Sequence, residues 1–149
     1  VARLHSLPAA TARDLHEDHE VLQKALDRLR GIADALDDAG PEEARTLIGE
    51  ANALVADQIV RHERNDEAAV YPRLSKVLHD GHGLSAMSRA HREIMHLARL
   101  LARLADSVRP QDVDRYLVRD AQRVIESIEA LVRLHNAQEE DIYEHATAA

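Results

Sequence analysis

Two segments of this chain carry the same arrangement of side chains. HERNDEAAVYP, residues 62–72, and HNAQEEDIYEH, residues 135–145, each open with His, place an acidic pair four and five residues later, and follow with Tyr. Residues four apart on a helix differ by about 40° around the axis, so His62 shares a side with Asp66, and His135 with Glu139. Imidazole and carboxylate suit iron, and a carboxylate can bridge two ions. Taken singly, either pair reads as a solvated surface contact, and a lone His on an apolar face as a hydrogen-bonded core residue. What matters is whether the groups meet, which depends on the helices that carry them.

Helix A is expected to start between Pro8 and Thr11, with Thr11 and Asp14 resembling a capping box, and to bury Leu15, His19, Leu22, Leu26, Leu29, Ala33 and Leu36. Gly40-Pro41-Glu42-Glu43 punctuates the chain: Gly suits the end of helix A, Pro the first turn of helix B, and the Glu pair a helix N-terminus. Helix B aligns Ala44, Leu47, Ile48, Ala51, Val55, Ile59 and His62, and Pro72 predicts a stop or kink near Tyr71. HDGHG, residues 79–83, reads as a loop. Helix C, about 84–105, shows Leu84, Met87, His91, Ile94, Ala98 and Leu101 on one face. After a break at residues 107–110, helix D aligns Leu117, Ala121, Val124, Ile128, Leu131, His135 and Ile142. These elements predict an all-α fold, an antiparallel up-down-up-down four-helix bundle forming one domain over 1–149 with a core from about 11 to 145.

In such a bundle the starts of A and C share an end with the finishes of B and D. At 1.5 Å per residue, His19, His62, His91 and His135 all lie roughly 10–15 Å from that end. They are expected in one core layer, joined by Asp66 and Glu139. Six buried polar groups without partners would cost roughly 1–3 kcal/mol each, most of a typical net stability of about 5–15 kcal/mol. A metal cluster removes that difficulty.

Composition narrows the alternatives. A charge of −8 and the lack of a basic stripe argue against nucleic acid. The absence of Cys excludes disulfides, iron–sulfur clusters and thiolate sites, while ten His stand out. No stretch approaches the roughly 20 apolar residues of a membrane span, and the N-terminal residues lack a signal-peptide block, so a cytoplasmic location is the default expectation. With no Phe, no Trp and three Tyr, the core falls to Leu, Ala, Val and Ile, which favours helices.

DLHEDHEVL, HERNDEAAVYP, AHREIMHL and HNAQEEDIY resemble the successive motifs of hemerythrin-like domains, also called HHE cation-binding domains, over about residues 14–143. The resemblance implies a non-haem centre of two iron ions, oxo- or hydroxo- and carboxylate-bridged, with His19, His62, His91 and His135 as terminal ligands and Asp66 and Glu139 as bridges. Three departures stand out. Asp66 occupies a position where the family usually has Glu, so either the metals shift toward helix B or Glu67 or Glu63 contributes. Helix C lacks the second His of respiratory hemerythrins: Met87 and Met95 flank His91, and His96 points off that face. Tyr143 follows His135 by eight residues, whereas Tyr71 follows His62 by nine, so the half-motifs are not strict copies.

Other candidates are weaker. His16 lies three before His19 and offers a possible fifth imidazole, with a helix-boundary His as the plain reading. Tyr143 lies one turn beyond Glu139, within reach of the site, whereas Tyr71 on a straight helix points away from His62 unless Pro72 redirects it. His5, His79, His82 and His145 read as solvent-exposed, and the two Met as core fillers. The expected function is binding or reduction of a small oxidant (O₂, peroxide or nitric oxide), with catalase-like peroxide decomposition leading and the enzyme assignment left open. The alternative is a non-catalytic sensing or binding module. Neither nucleic acid nor membrane is an expected partner, and the chain is a monomer or homodimer. A ferritin-like site needs two Glu-x-x-His motifs; this chain has one, Glu93 to His96, on the wrong face.

Overall fold

The computed structural model of the chain describes residues 9–78 and 82–148; His5 and His79 lie outside them, as does the side chain of His82. Among the described residues there are helices and no strands. Helix α1 spans Ala9–Ala35. A long second rod is built from α2 (Pro41–Leu54), α3 (Arg61–Asn65) and α4 (Tyr71–Val77), joined without a break by π-helical segments at Val55–Val60 and Asp66–Val70. Helix α5 runs His82–Ser107, and α6 runs Arg115–Ala148 after a 3₁₀ turn at Pro110–Asp112. The rods α1 and α5 each pack on the second rod and on α6.

Several ends differ from expectation. Thr11 lies inside α1 rather than capping it, since the helix is already under way at Ala9. Helix α1 stops at Ala35, and Gly40 instead caps α2 with φ −70° and ψ 171°, ahead of Pro41 in the first turn. Pro72 neither stops nor breaks the second rod, which continues to Val77 with helical backbone at Val70 and Tyr71. The preceding π turn bonds i to i+5, so it places the missing N–H of Pro72 where the ladder is already displaced. Residues 82 and 83, expected in a loop, open α5. Helix α6 starts at an Asp114 cap, whose carboxylate accepts from the Leu117 N–H at 2.8 Å.

The core falls into two apolar clusters. The larger includes Leu26, Leu29, Ile32, Ile48, Leu101, Ile125 and Ile128, each essentially removed from water. The smaller, at the other end, holds Leu15, Val70, Tyr71, Leu74, Leu84, Met87, Tyr143 and Ala146. On α6 the buried row is Ala121, Ile125, Ile128, Val132, His135, Glu139 and Tyr143, so Val124, Leu131 and Ile142 flank the face rather than centring it. Contacts along α1 and α6 run in opposite order: His16 reaches Glu140, Asp27 reaches Arg133, and Asp37 accepts from Gln122.

Candidate metal centre

Between the two apolar clusters lies a polar layer, bounded on α1 by Leu15 and Leu22, on the second rod by Ile59 and Val70, on α5 by Met87 and Ile94, and on α6 by Val132 and Tyr143. It contains His19, Glu63, Asp66, His91, His135 and Glu139, all buried, and the nearly buried His62. Their donor atoms form two groups, each with all its atoms within 4.8 Å of one another. One comprises His19, His62, Asp66 and Glu139; the other comprises Glu63, Asp66, His91, His135 and Glu139. Asp66 and Glu139 belong to both.

The distances are those of atoms converging on common points. His91 Nε2 lies 2.6 Å from Glu63 Oε2 and 2.8 Å from His135 Nε2. Glu139 Oε1 is 2.8 Å from His135 Nε2 and 3.6 Å from His19 Nε2, and Asp66 Oδ2 is 3.1 Å from His62 Nε2. Two ligands bound at about 2.1 Å and at right angles to one another sit about 3 Å apart. Yet His19 Nε2, His62 Nε2, both Glu63 oxygens, Asp66 Oδ2 and Glu139 Oε1 are buried without a well-aligned hydrogen bond. Orphaned, converging imidazole and carboxylate atoms are the donor set of a nitrogen–oxygen metal site, so these residues fit a metal.

Without metal, electrostatics is strained in the expected directions. Burial pushes the Asp66 carboxyl up to about 6, against the pull of His62. Burial also opposes charge on His135, but its bonds to Glu139 and Glu63 outweigh that and lift it to about 10. Glu139 is buried as well, yet His135 and His19 hold it far below the ordinary carboxylate range.

Two tyrosines complete the layer. Tyr143 donates to Glu139 Oε2 at 2.9 Å, and Tyr71 donates to the same oxygen at 3.1 Å. The Tyr71 hydroxyl also lies 3.0 Å from His91 Nε2 and 3.5 Å from His135 Nε2. Burial first, then the charge of Glu139, holds both phenols protonated well past their ordinary range. Tyr71 therefore does not point away from His62 as the straight-helix reading expected. The π turn at Asp66–Val70 accommodates one extra residue, so nine positions advance the helix as eight would: about 80° from His62 rather than 180°. The unequal Tyr offsets thereby become equivalent in space.

The remaining candidates sort by depth. Glu63 is fully buried in the second group; one residue past His62, it completes a wedge about 100° wide centred on Asp66. Asn136 holds the matching position after His135 and is also buried. Glu67 and Glu140 are partly exposed; their carboxylates meet His91 Nδ1 at 2.8 Å and His19 Nδ1 at 2.7 Å, outside the two groups. His16 is more than half exposed and reaches Glu140 and Glu20 rather than the centre. His96 and His145 are exposed; Met87 packs in the small cluster and Met95 is half-buried. Two cavities open sideways onto the layer. One, about 570 Å³, reaches His19 beside His16, Gln23, Asn136 and Glu140. The other, about 940 Å³, reaches Glu63 and His91 beside Arg64, Arg92, Met95 and Arg99.

A family model, the hemerythrin HHE cation-binding domain, matches residues 10–146. This chain belongs to that family. Hemerythrin-like membership and the buried His, Glu and Asp cluster together make it a metal-binding protein of the HHE type. No curated protein and no solved structure matches it. No helix among the described residues is long and apolar enough to cross a membrane.

Proposed function

We propose that this hemerythrin-like chain holds two iron ions and decomposes hydrogen peroxide. The observation that carries this reading is the pair of donor groups sharing Asp66 and Glu139. In this assignment His19 and His62 would hold one ion and Glu63, His91 and His135 the other, with Asp66 and Glu139 available to both. In this reading Glu63, one of the alternatives left open by the shorter Asp66, supplements it, supported by its place in the second donor group. The antiparallel up-down-up-down order belongs to the same proposal, supported by the opposed contacts of α1 and α6.

When bound, the two ions supply a redox couple and Lewis acidity, which disproportionation of two peroxides into dioxygen and two waters requires. The chain's own groups do the rest. Glu139 Oε2 is occupied by two hydroxyl donors, which leaves Oε1 directed between His19 and His135. Tyr71 and Tyr143 remain protonated and sit as hydrogen-bond donors beside the centre. The flanking apolar clusters keep bulk water from both ends of the layer.

Iron loading without oxygen, followed by metal analysis and absorption spectra after air, peroxide and nitric oxide, tests the assignment. Two irons per chain and rapid O₂ evolution are expected; turnover no faster than that of free iron sinks the peroxide reading. Tyr71→Phe, which keeps the ring and removes the donor, is expected to slow O₂ evolution about 100-fold. Iron-dependent protection from hydrogen exchange without turnover would instead identify a sensing or binding module.

A further inference from the structure

The acidic pairs of the two half-motifs divide their work, and the second member of each pair has no place among the buried donor groups. His62 and His135 have an acid at i+4 on their own helix, whereas His19 and His91 are followed at that position by Gln23 and Met95. The fifth residue of each half-motif reaches across to those two rings. Glu67 meets His91 Nδ1 at 2.8 Å, and Glu140 meets His19 Nδ1 at 2.7 Å. On both rings Nε2 is left facing the buried donor groups. The spacing explains the reach: i+4 lies about 40° from the His and i+5 about 140°, so one acid faces the layer and the next faces the neighbouring helix.

We propose that Glu67 and Glu140 are positioning residues that fix the rotation and tautomer of His91 and His19, with Nδ1–H donated outward and the Nε2 lone pair aimed at the metal. The inference rests on the metal reading above. Each helix that contributes a shared carboxylate also aims the imidazole of a helix that brings one His and no carboxylate to the donor groups. The two contacts form a pair, one on each flank, and each governs a different ion. They are not equivalent: Glu140 also meets His16 at 3.1 Å, whereas no second cation shares Glu67 among the described residues.

Cobalt(II) titration of the full metal-free chain, read by visible absorption and chelator competition, tests this. Wild type is expected to take two ions. Glu67→Ala should weaken one of them about 10–100-fold, Glu140→Ala the other, and Glu67→Gln, which keeps an acceptor oxygen, should recover most of the loss. In the zinc-loaded protein, the His91 Nδ1 proton should be visible by NMR in wild type and lost in Glu67→Ala, with the fold of the metal-free protein unchanged. Two ions bound with equal affinity in wild type and both Ala variants would overturn this inference alone. Equal losses in Ala and Gln, matched by a lower melting temperature of the metal-free chain, would mark a merely structural contact and also overturn it. A wild type that binds no cobalt would overturn the metal reading and this inference with it.

Discussion

At His135 the ring is completely buried and yet favours its charged form when no metal is present, because Glu139 and Glu63 contact the same nitrogen. With its pKa lifted to about 10, the ring carries a proton at pH 7 that a metal ion must displace. Loading a divalent metal into unbuffered protein at neutral pH should therefore release protons, detectable with an indicator dye, and metal affinity should climb between pH 7 and 10. The stability of the metal-free chain should move the opposite way. A His raised above 6.5 contributes stability that is complete below pH 6.5 and lost as pH rises through about 10. Asp66, raised from 3.8 to about 6, has the same sign: its penalty is absent at low pH and complete above about 6. Metal-free melting temperatures should fall by several degrees from pH 6.5 to 10, and a flat profile would contradict the cluster's electrostatics.

Among the elements, the second rod contributes most to the arrangement, through its π turn at Asp66–Val70. Deleting Ala69 should remove the extra residue, restore an ordinary α-helix and leave everything beyond it in the same rotation. Tyr71 and Leu74 would stay in the core and Tyr71 would remain protected from nitration; a Tyr71 turned outward and open to nitration would show that the π turn does not set its direction. This turn also marks the limit of what periodicity conveys. The meeting of His19, His62, His91 and His135 in one layer follows from steps of three and four among apolar residues, because the four rods bury whole faces. The direction of Tyr71 does not, since one extra residue in a helix leaves no trace in the hydrophobic pattern. Glu63 enters the sequence reading only as a substitute for Asp66, because centring the face on His62 rather than on Asp66 pushes it to the margin. On α6 the same small rotation separates Val132 and Glu139 from Leu131 and Ile142.

For the whole molecule, stability and site are carried by different parts. The large apolar cluster lies on one side of the polar layer, and Leu29, Ile32 and Ile128 have no exposed surface. Leu29→Ala should cost about 2–5 kcal/mol through lost burial and a residual cavity. For a chain of this size that lowers the melting temperature by roughly 4–20 °C. Metal stoichiometry should stay at the wild-type value, because Leu29 sits about three turns from His19 along α1. Loss of metal binding in a variant that still folds would mean that the long core and the layer are coupled.

The small cluster of Leu15, Leu74, Leu84 and Ala146 acts as a stopper on one end of the bundle, while the long core seals the other. Traffic to and from the layer must then use the flanks, where two cavities enter between neighbouring helices. Such side doors open by the swing of a few side chains, without unzipping the rods. Exchange should therefore respond to the bulk of gatekeepers such as Gln23 or Met95, and hardly at all to changes in the stopper. The bundle works less like a tube filled from its mouth than like a stack of floors, with one inhabited storey reached through its walls.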